Sequence, residues 1–300
     1  MPENEPAAPG ARPPEDEIQK RLAEWRESMK KTYADAAPAP KEEAGQRIEP
    51  RQEPQPEPKP EPKKVTAVTA KVGSKTNSGI PGLDELIGGG FEPESVVLVT
   101  GDPGSGKSTF GIEFLHNGAV QYGEPGILIT FEERKGDIIR RMKEYGWDLE
   151  RLEAEKKLKI LEYPPHEVER FISEGEIIRD MIADIGAKRV VIDSMTSFAL
   201  VYDGEYKMRL GILKAIDSFK KWGCTTILIS EGSISEQGDV RDRFGIEYLT
   251  DGTIYLYNKR MRDYRQKLIE IVELKGVKHD NAIHPLSFGK DGMSVEARTE

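Results

Sequence analysis

Short apolar runs recur along residues 95–230, and stretches with helical spacing separate them. Runs rich in valine, isoleucine and leucine, without polar alternation, are typical of strands buried on both faces of a sheet. We predict such strands at residues 95–100, 126–131, 158–163, 189–193 and 225–230. Because helices separate them, the strands are expected to form parallel βαβ units with helices on both faces.

The apolar spacing between these strands predicts helices at residues 107–122, 137–145, 174–185 and 207–222, with a short helix near 83–87. After Thr250 the pattern changes to period two. It predicts antiparallel strands at 253–257 and 266–273 joined by a polar hairpin, and short strands at 285–288 and 293–295. The expected fold is α/β, a mostly parallel sheet flanked by helices with an antiparallel C-terminal extension.

The first part of the chain has a different composition. Residues 1–64 hold thirteen of the twenty prolines, and such a segment has little apolar surface to bury. We predict a disordered tail rich in proline and glutamate over residues 1–70, followed by a folded domain over 71–300. Within the tail, Ile18, Leu22, Trp25 and Met29 recur at helical spacing over residues 15–36. This segment is either a tethered docking helix for a partner protein or a marginal helix that frays.

A glycine-rich turn joins the first buried strand to the first long helix. Its sequence, Gly101-Asp-Pro-Gly-Ser-Gly-Lys-Ser108, has the Gly-x-x-x-x-Gly-Lys-Ser spacing of a phosphate-binding loop. Glycines let backbone N–H groups surround phosphate oxygens, and the helix N-terminus favours negative charge. Lys107 is expected to reach the β- and γ-phosphates, and Ser108 to bind Mg²⁺. The predicted nucleotide-binding residues are Gly101, Pro103, Gly104, Ser105, Gly106, Lys107, Ser108 and Thr109.

Acidic residues end two other predicted strands. Asp193 follows an apolar run and fits the acid that helps hold Mg²⁺, although it could instead cap the next helix. Glu132 and Glu133 follow Phe131, where a carboxylate could orient or deprotonate the water that attacks the γ-phosphate. The alternative is that these two glutamates cap a helix. Adjacent residues on an extended chain point in opposite directions, so we expect the two to differ in role.

Composition limits the classes of function. The formal net charge is −9, so no global basic field is available to hold nucleic acid. The single cysteine, Cys224, excludes an internal disulfide framework and suits a reducing compartment. No apolar stretch reaches membrane-spanning length, and no hydrophobic signal region is evident at the N-terminus. We therefore expect a soluble, cytoplasmic protein.

Several motifs, in order and at matching spacing, resemble one family over most of the predicted domain. They are Gly79-Ile-Pro-Gly-Leu-Asp-Glu-Leu86, the phosphate loop, Glu113-Phe-Leu-His-Asn-Gly118, Tyr122-Gly-Glu-Pro-Gly126, Thr130-Phe-Glu-Glu133, Tyr145-Gly-Trp-Asp148 and Val191-Ile-Asp-Ser194. The chain is similar to single-domain KaiC-like ATPases of the RecA superfamily. The resemblance implies a RecA-like P-loop NTPase core and homo-oligomeric rings, usually hexamers, with ATP and Mg²⁺ between neighbours. It also implies that Glu132 and Glu133 are the catalytic glutamates.

The family also carries a basic motif that faces ATP on the next subunit. The corresponding stretch is Glu273-Leu-Lys-Gly-Val-Lys-His279, in which Lys275 takes the place of the usual arginine or lysine. The resemblance implies that Leu274, Lys275 and His279 contact the neighbour's nucleotide. A cation donated across an interface would stabilise transition-state charge, whereas the alternative is a solvated strand end. Residues Glu247-Tyr248 lack the paired hydroxyl acceptors of clock members, which argues against autokinase activity.

The leading hypothesis is an ATP-hydrolysing ring protein that signals its nucleotide state to a partner. A nucleic-acid-dependent ATPase is the main rival, supported by basic residues and tyrosines at 257–267 but opposed by the net acidity. The mixed charge of loop 231–243 does not support that rival. A nucleotide-binding scaffold with little turnover is a further alternative. A small-molecule kinase would need an acceptor pocket that no stretch suggests.

Overall fold

The computed structural model describes residue 20 and residues 75–164, 167–199, 201–234 and 240–296. Apart from residue 20, the predicted tail, its segment at 15–36 and the boundary at residue 70 lie outside the described residues. Within the described part of the chain, no helix is long and apolar enough to cross a membrane.

A nine-stranded sheet organises the domain, with the order β11-β10-β9-β8-β1-β5-β4-β2-β3. Strands from β8 to β3 in this order pair in parallel, whereas β8 to β11 pair antiparallel. The strands of the sheet are β1 (Val96–Gly101), β2 (Gly126–Thr130), β3 (Leu158–Glu162), β4 (Arg189–Asp193), β5 (Thr225–Ile229), β8 (Gly252–Arg260), β9 (Arg265–Leu274), β10 (Ile283–Gly289) and β11 (Gly292–Val295). The predicted fold class is confirmed.

Helices flank this sheet. They are α1 (Leu83–Leu86), α2 (Lys107–Gln121), α3 (Lys135–Met142), α4 (Leu149–Ala154), α5 (Val168–Ser173), α6 (Gly175–Ile185), α7 (Met195–Ala199) and α8 (Glu205–Lys220), with 3₁₀ turns at Lys143–Tyr145 and Glu247–Leu249. The long amphipathic helices agree with the predicted spans to within a few residues. The short helices α4, α5 and α7 were not predicted, because six residues or fewer give little periodicity.

The segment predicted as a loop at 231–243 is partly a hairpin. Strands β6 (Gly232–Ile234) and β7 (Val240–Asp242) pair antiparallel in a separate two-stranded sheet. Three-residue strands are too short to give a recognisable alternation, which explains why the sequence did not reveal them.

A buried arginine joins α2 to the start of β4. The Arg189 side chain is 0% exposed. Its Nε donates to Glu124 Oε2 at 2.7 Å, its Nη1 donates to the Phe114 carbonyl at 2.8 Å, and its guanidinium lies 4.4 Å from the Phe114 ring centre. A methyl group at Gly118 would lie only 2.4 Å from Arg189 Cδ, so glycine is needed where the arginine passes the helix.

We expect Glu124→Gln to lower the free energy of unfolding by about 3 kcal/mol, because it leaves a buried guanidinium without its counter-charge. Urea denaturation measures this change. The matched control is Glu176→Gln, which breaks a pair with Arg179 whose side chains are 63% and 52% exposed, and it should change stability by less than about 0.5 kcal/mol. Equal effects of the two variants would contradict a structural role for the buried ion pair.

Candidate functional site

The phosphate loop lies between the end of β1 and the start of α2, as predicted. Gly101, Gly104 and Gly106 have φ of 146°, 70° and 107°, values that side chains with a Cβ rarely adopt. Lys107 Nζ donates to the backbone carbonyls of Gly101 at 2.9 Å and Asp102 at 3.0 Å. The Ser105 hydroxyl is buried and has no hydrogen-bond partner among the described residues. A loop with a folded-back lysine, an unpaired hydroxyl and an α-helix N-terminus fits a phosphate group.

Burial shifts the pKa of both Lys107 and Asp193 beside the phosphate loop. Burial lowers the pKa of Lys107, while the negative charges of Glu231 and Asp193 oppose that shift. Asp193, at the end of β4, is 9% exposed and accepts a hydrogen bond from Ser108. Its pKa is raised to about 6, chiefly by burial; the Ser108 hydrogen bond opposes the rise and Glu132 adds to it.

The donor set beside the loop suits Mg²⁺. The structure places the Ser108 hydroxyl and the Asp193 carboxylate together, and both are oxygen ligands. Among the described residues, no group of three or more His, Cys, Asp or Glu side chains could hold a metal ion by itself. Mg²⁺ commonly binds through one or two protein oxygens, with waters and substrate phosphates completing its shell, so the residues present fit that ion.

Glu132 and Glu133 have different partners, in agreement with the expected divergence of adjacent side chains. Glu132 Oε1 accepts hydrogen bonds from the Ser194 hydroxyl and, at 3.1 Å, from the Ser197 hydroxyl. The Glu133 carboxylate instead accepts from Arg141, whose Nη2 lies 2.8 Å from each of its two oxygens. Neither side chain caps α3, because the carboxylate that accepts from the Lys135 N–H is that of Glu162. The helix-capping alternative is therefore not supported.

These residues line one cavity of about 410 Å³, within the usual range of ligand sites. Its predicted members are Pro103, Gly104, Gly106, Lys107, Ser108, Thr109, Glu132, Glu133 and Asp193. Other lining residues were not predicted, and they include Arg141, Tyr145, Glu231, Lys267 and Phe288. Tyr145 lies in a recognised motif, whereas Lys267 and Phe288 carry no local signal because the pairing of β9 with β10 brings them to the cavity.

Comparison with known proteins agrees with this geometry. A family model described as "ATPase: KaiC" matches residues 76–300. This chain belongs to the KaiC-like ATPase family.

Named relatives include both long and short proteins. The circadian clock oscillator protein KaiC of Prochlorococcus marinus is 34% identical over 231 residues, which cover 74% of this chain and 46% of the relative. The chain thus spans about half the length of the clock proteins it matches. The UPF0273 protein of Methanocaldococcus jannaschii is 32% identical, and the match covers 74% of this chain and 96% of the relative. The crystal structure of the KaiC-like protein from Pyrococcus horikoshii gives a TM-score of 0.68 with 36% identity, covering 75% of this chain and 100% of that one.

The KaiC-like basic motif lies away from the chain's own phosphate loop. Leu274 ends β9 and pairs with Gly252, the first residue of β8. Gly252 lies beside Val97, near the start of β1, and β8 runs parallel to β1. Leu274 therefore lies at the opposite end of the strands from the phosphate loop. Lys275 Nζ donates to the Thr250 carbonyl, and His279 Nδ1 lies 3.0 Å from the Asp280 carbonyl. Leu274, Lys275 and His279 are absent from the described lining of the cavity, so a single chain does not bring them together with Lys107.

A buried carboxyl group, Glu113, lies on α2 behind the phosphate loop of this KaiC-like domain. It is 1% exposed, and its Oε2 accepts from the Met293 N–H at 2.7 Å. Burial raises the pKa of Glu113 to about 8. The hydrogen bond joins α2 to β11, and burial keeps the carboxyl group protonated at pH values where an exposed glutamate is ionised.

We expect this group to make stability fall as the pH rises. Between the unfolded pKa of 4.5 and the folded pKa of about 8, the folded chain keeps a proton that the unfolded chain releases. The free energy of unfolding therefore declines by up to about 1.4 kcal/mol per pH unit. The contribution of Glu113 to stability is complete below the unfolded pKa and is lost above the folded pKa. Urea denaturation across this range should show a flatter profile for Glu113→Gln, whereas the exposed control Glu85→Gln should keep the wild-type slope. Identical slopes for all three proteins would contradict this expectation.

Proposed function

We propose that this KaiC-like domain binds Mg·ATP and hydrolyses ATP, and that its nucleotide state regulates or signals to a partner protein. The observation that carries the proposal is the convergence of Lys107, Ser108, Asp193 and Glu132 on one cavity at the carboxyl ends of parallel strands. Ligands of open α/β sheets bind at this edge.

The residues divide into binding and reacting groups. The loop N–H groups would hold the phosphates, and Lys107 would exchange its two carbonyl partners for the β- and γ-phosphates. Ser108 and Asp193 would hold Mg²⁺, which neutralises charge on the phosphates when bound. The aromatic rings of Tyr145 and Phe288 also line the cavity and would offer apolar surface for the base.

Glu132 is the better placed of the two glutamates to orient and deprotonate the attacking water. Its carboxylate is fixed by two hydroxyl donors beside Asp193. Glu133 has its charge compensated by Arg141, with side chains 40% and 35% exposed, so a positioning role at the mouth of the cavity suits it better. This division supports a hydrolytic rather than a purely binding site.

We further propose that the complete site forms between copies of the chain, in a homo-oligomeric ring and most simply a hexamer. Support comes from the position of Lys275 at the opposite end of the parallel strands from the chain's own phosphate loop. Lys275, with Leu274 and His279 beside it, would stabilise charge on the neighbour's γ-phosphate.

The test is the rate of phosphate release together with oligomer size, each measured with and without Mg·ATP. We expect turnover that requires Mg²⁺ and falls on dilution to the monomer. Chelation by EDTA should abolish it. Tight nucleotide binding without turnover would favour the scaffold alternative, and full activity of the diluted monomer would overturn the interfacial site.

A further inference from the structure

A strongly basic hairpin projects from the sheet beside the nucleotide cavity. Every residue from 259 to 265, at the β8–β9 turn, is exposed. This basic hairpin carries Lys259, Arg260, Arg262 and Arg265 against a single acid, Asp263. The rest of the chain must be more negative than the total charge of −9. The basic hairpin is therefore a positively charged patch on an acidic protein.

Apolar and aromatic groups lie among these cations. Tyr264 is 62% exposed and Met261 is 40% exposed. Tyrosine, methionine and arginine are the residues enriched in the centres of protein interfaces, whereas lysine-rich solvated turns seldom display them together. The hairpin therefore has the chemistry of a contact surface as well as a charge.

The base of the basic hairpin is fastened to the phosphate loop. The Asn258 backbone N–H donates to Asp102 Oδ2 at 2.8 Å, and Asn258 Nδ2 donates to the Pro103 carbonyl at 2.9 Å. From the hairpin side, Arg265 Nη1 donates to the Asn258 carbonyl at 3.1 Å. Asp102 in turn supplies one of the two carbonyls that hold Lys107. A continuous set of hydrogen bonds thus joins the exposed surface to Lys107 of the phosphate loop.

We propose that the basic hairpin docks an acidic segment of a partner protein, and that Asn258 transmits its occupancy to the phosphate loop. Docking of the acidic segment does not depend on the proposed function, whereas transmission to the phosphate loop rests on the proposed ATP site. A protein segment fits better than nucleic acid because the cations span one short turn. A long polyanion would extend from it across an acidic surface.

Docking is tested with the full chain and a fluorescein-labelled peptide of glutamates with interspersed tyrosines, followed by fluorescence anisotropy without nucleotide. The paired change Arg260→Glu/Arg262→Glu should weaken binding by about tenfold or more. The control Arg179→Glu/Arg209→Glu alters net charge equally on α6 and α8 and should stay within about twofold. No binding by the wild type, or equal loss in both variants, overturns the docking surface.

Two further outcomes would also overturn it. Tighter binding of single-stranded oligothymidylate than of the peptide, with a steep salt dependence, would assign the hairpin to nucleic acid. A change in oligomer size on charge reversal would assign it to contacts between copies.

Transmission is tested by measuring the Kd of a fluorescent ATP analogue with and without saturating peptide. We expect the peptide to change this Kd by about fivefold in the wild type. Asn258→Ala removes the side-chain bond to the Pro103 carbonyl and keeps the backbone bond to Asp102. It should bind the peptide as before and reduce the change in Kd, while its melting temperature reports that it is folded. A wild type that binds peptide with no change in Kd overturns transmission alone. Failure of the proposed function gives a different result, because the wild type would then show no binding of the analogue or no ATP turnover even without peptide.

Discussion

Replacing Glu132 with glutamine should lower ATP turnover by about 10²–10⁴-fold, the usual contribution of a general base. The amide keeps the shape of the side chain and can still bond to the Ser194 and Ser197 hydroxyls that hold Glu132. It cannot accept a proton from water. We therefore expect the affinity for Mg·ATP and the size of the oligomer to remain those of the wild type, with loss confined to kcat.

The neighbouring glutamate provides the matched comparison. Glu133→Gln removes a charge paired with Arg141, so it should lower turnover less than Glu132→Gln and act partly through nucleotide affinity. Phosphate release and binding of a fluorescent ATP analogue separate these two effects. The double variant should keep the oligomer size of the wild type but lose turnover. Full activity of the double variant would end the catalytic assignment.

Lys275→Ala should lower turnover by about a thousandfold, the lower end of the effect of a cation supplied in trans. Its amine lies at the opposite end of the strands from the chain's own loop, so the missing charge should be that of the neighbour's site. Lys221→Ala, which removes a cation that is 70% exposed at the residue following α8, should leave turnover within about twofold of the wild type.

Mixing two inactive variants makes this expectation sharper. In an assembly of Lys275→Ala and Glu132→Gln chains, some interfaces combine an intact Glu132 from one copy with an intact Lys275 from the other. Those interfaces should regain activity, with a yield that depends on the mixing ratio. If mixtures stay as inactive as their components although the copies exchange, then both residues serve the same chain's site and the interfacial proposal is wrong.

The sequence predicted the fold well where each element carries its own signal. The apolar run that forms β4 predicted its bounds, Arg189–Asp193, because a strand buried on both faces needs only apolar side chains. The phosphate loop was recognisable because phosphate binding requires a fixed local spacing. By contrast, α7 is five residues long and buried throughout, so no amphipathic pattern marks it.

The candidate site was predictable only where its residues end strands or belong to motifs. Lys267 and Phe288 reach the cavity through strand register, and the cation lies 4.0 Å from the ring centre. Such a contact depends on pairings across the chain rather than on neighbours in sequence. The Arg141 partner of Glu133 was missed for a related reason, since a basic residue on a helix is usually solvated and only its tertiary position reveals the pair.

Lys275 and Lys107 lie at opposite ends of the strands of one sheet, and this placement affects how identical chains could assemble and how variants would behave in mixed assemblies. A contact between unlike surfaces of identical chains is head-to-tail, and it closes into a ring or runs on as a filament according to the rotation between copies. In the proposed assembly, each chain is at once donor to one neighbour and acceptor from the other. A copy that lacks both Glu132 and Lys275 would inactivate its own site and that of one neighbour, and would therefore lower the activity of the wild-type copies with which it assembles.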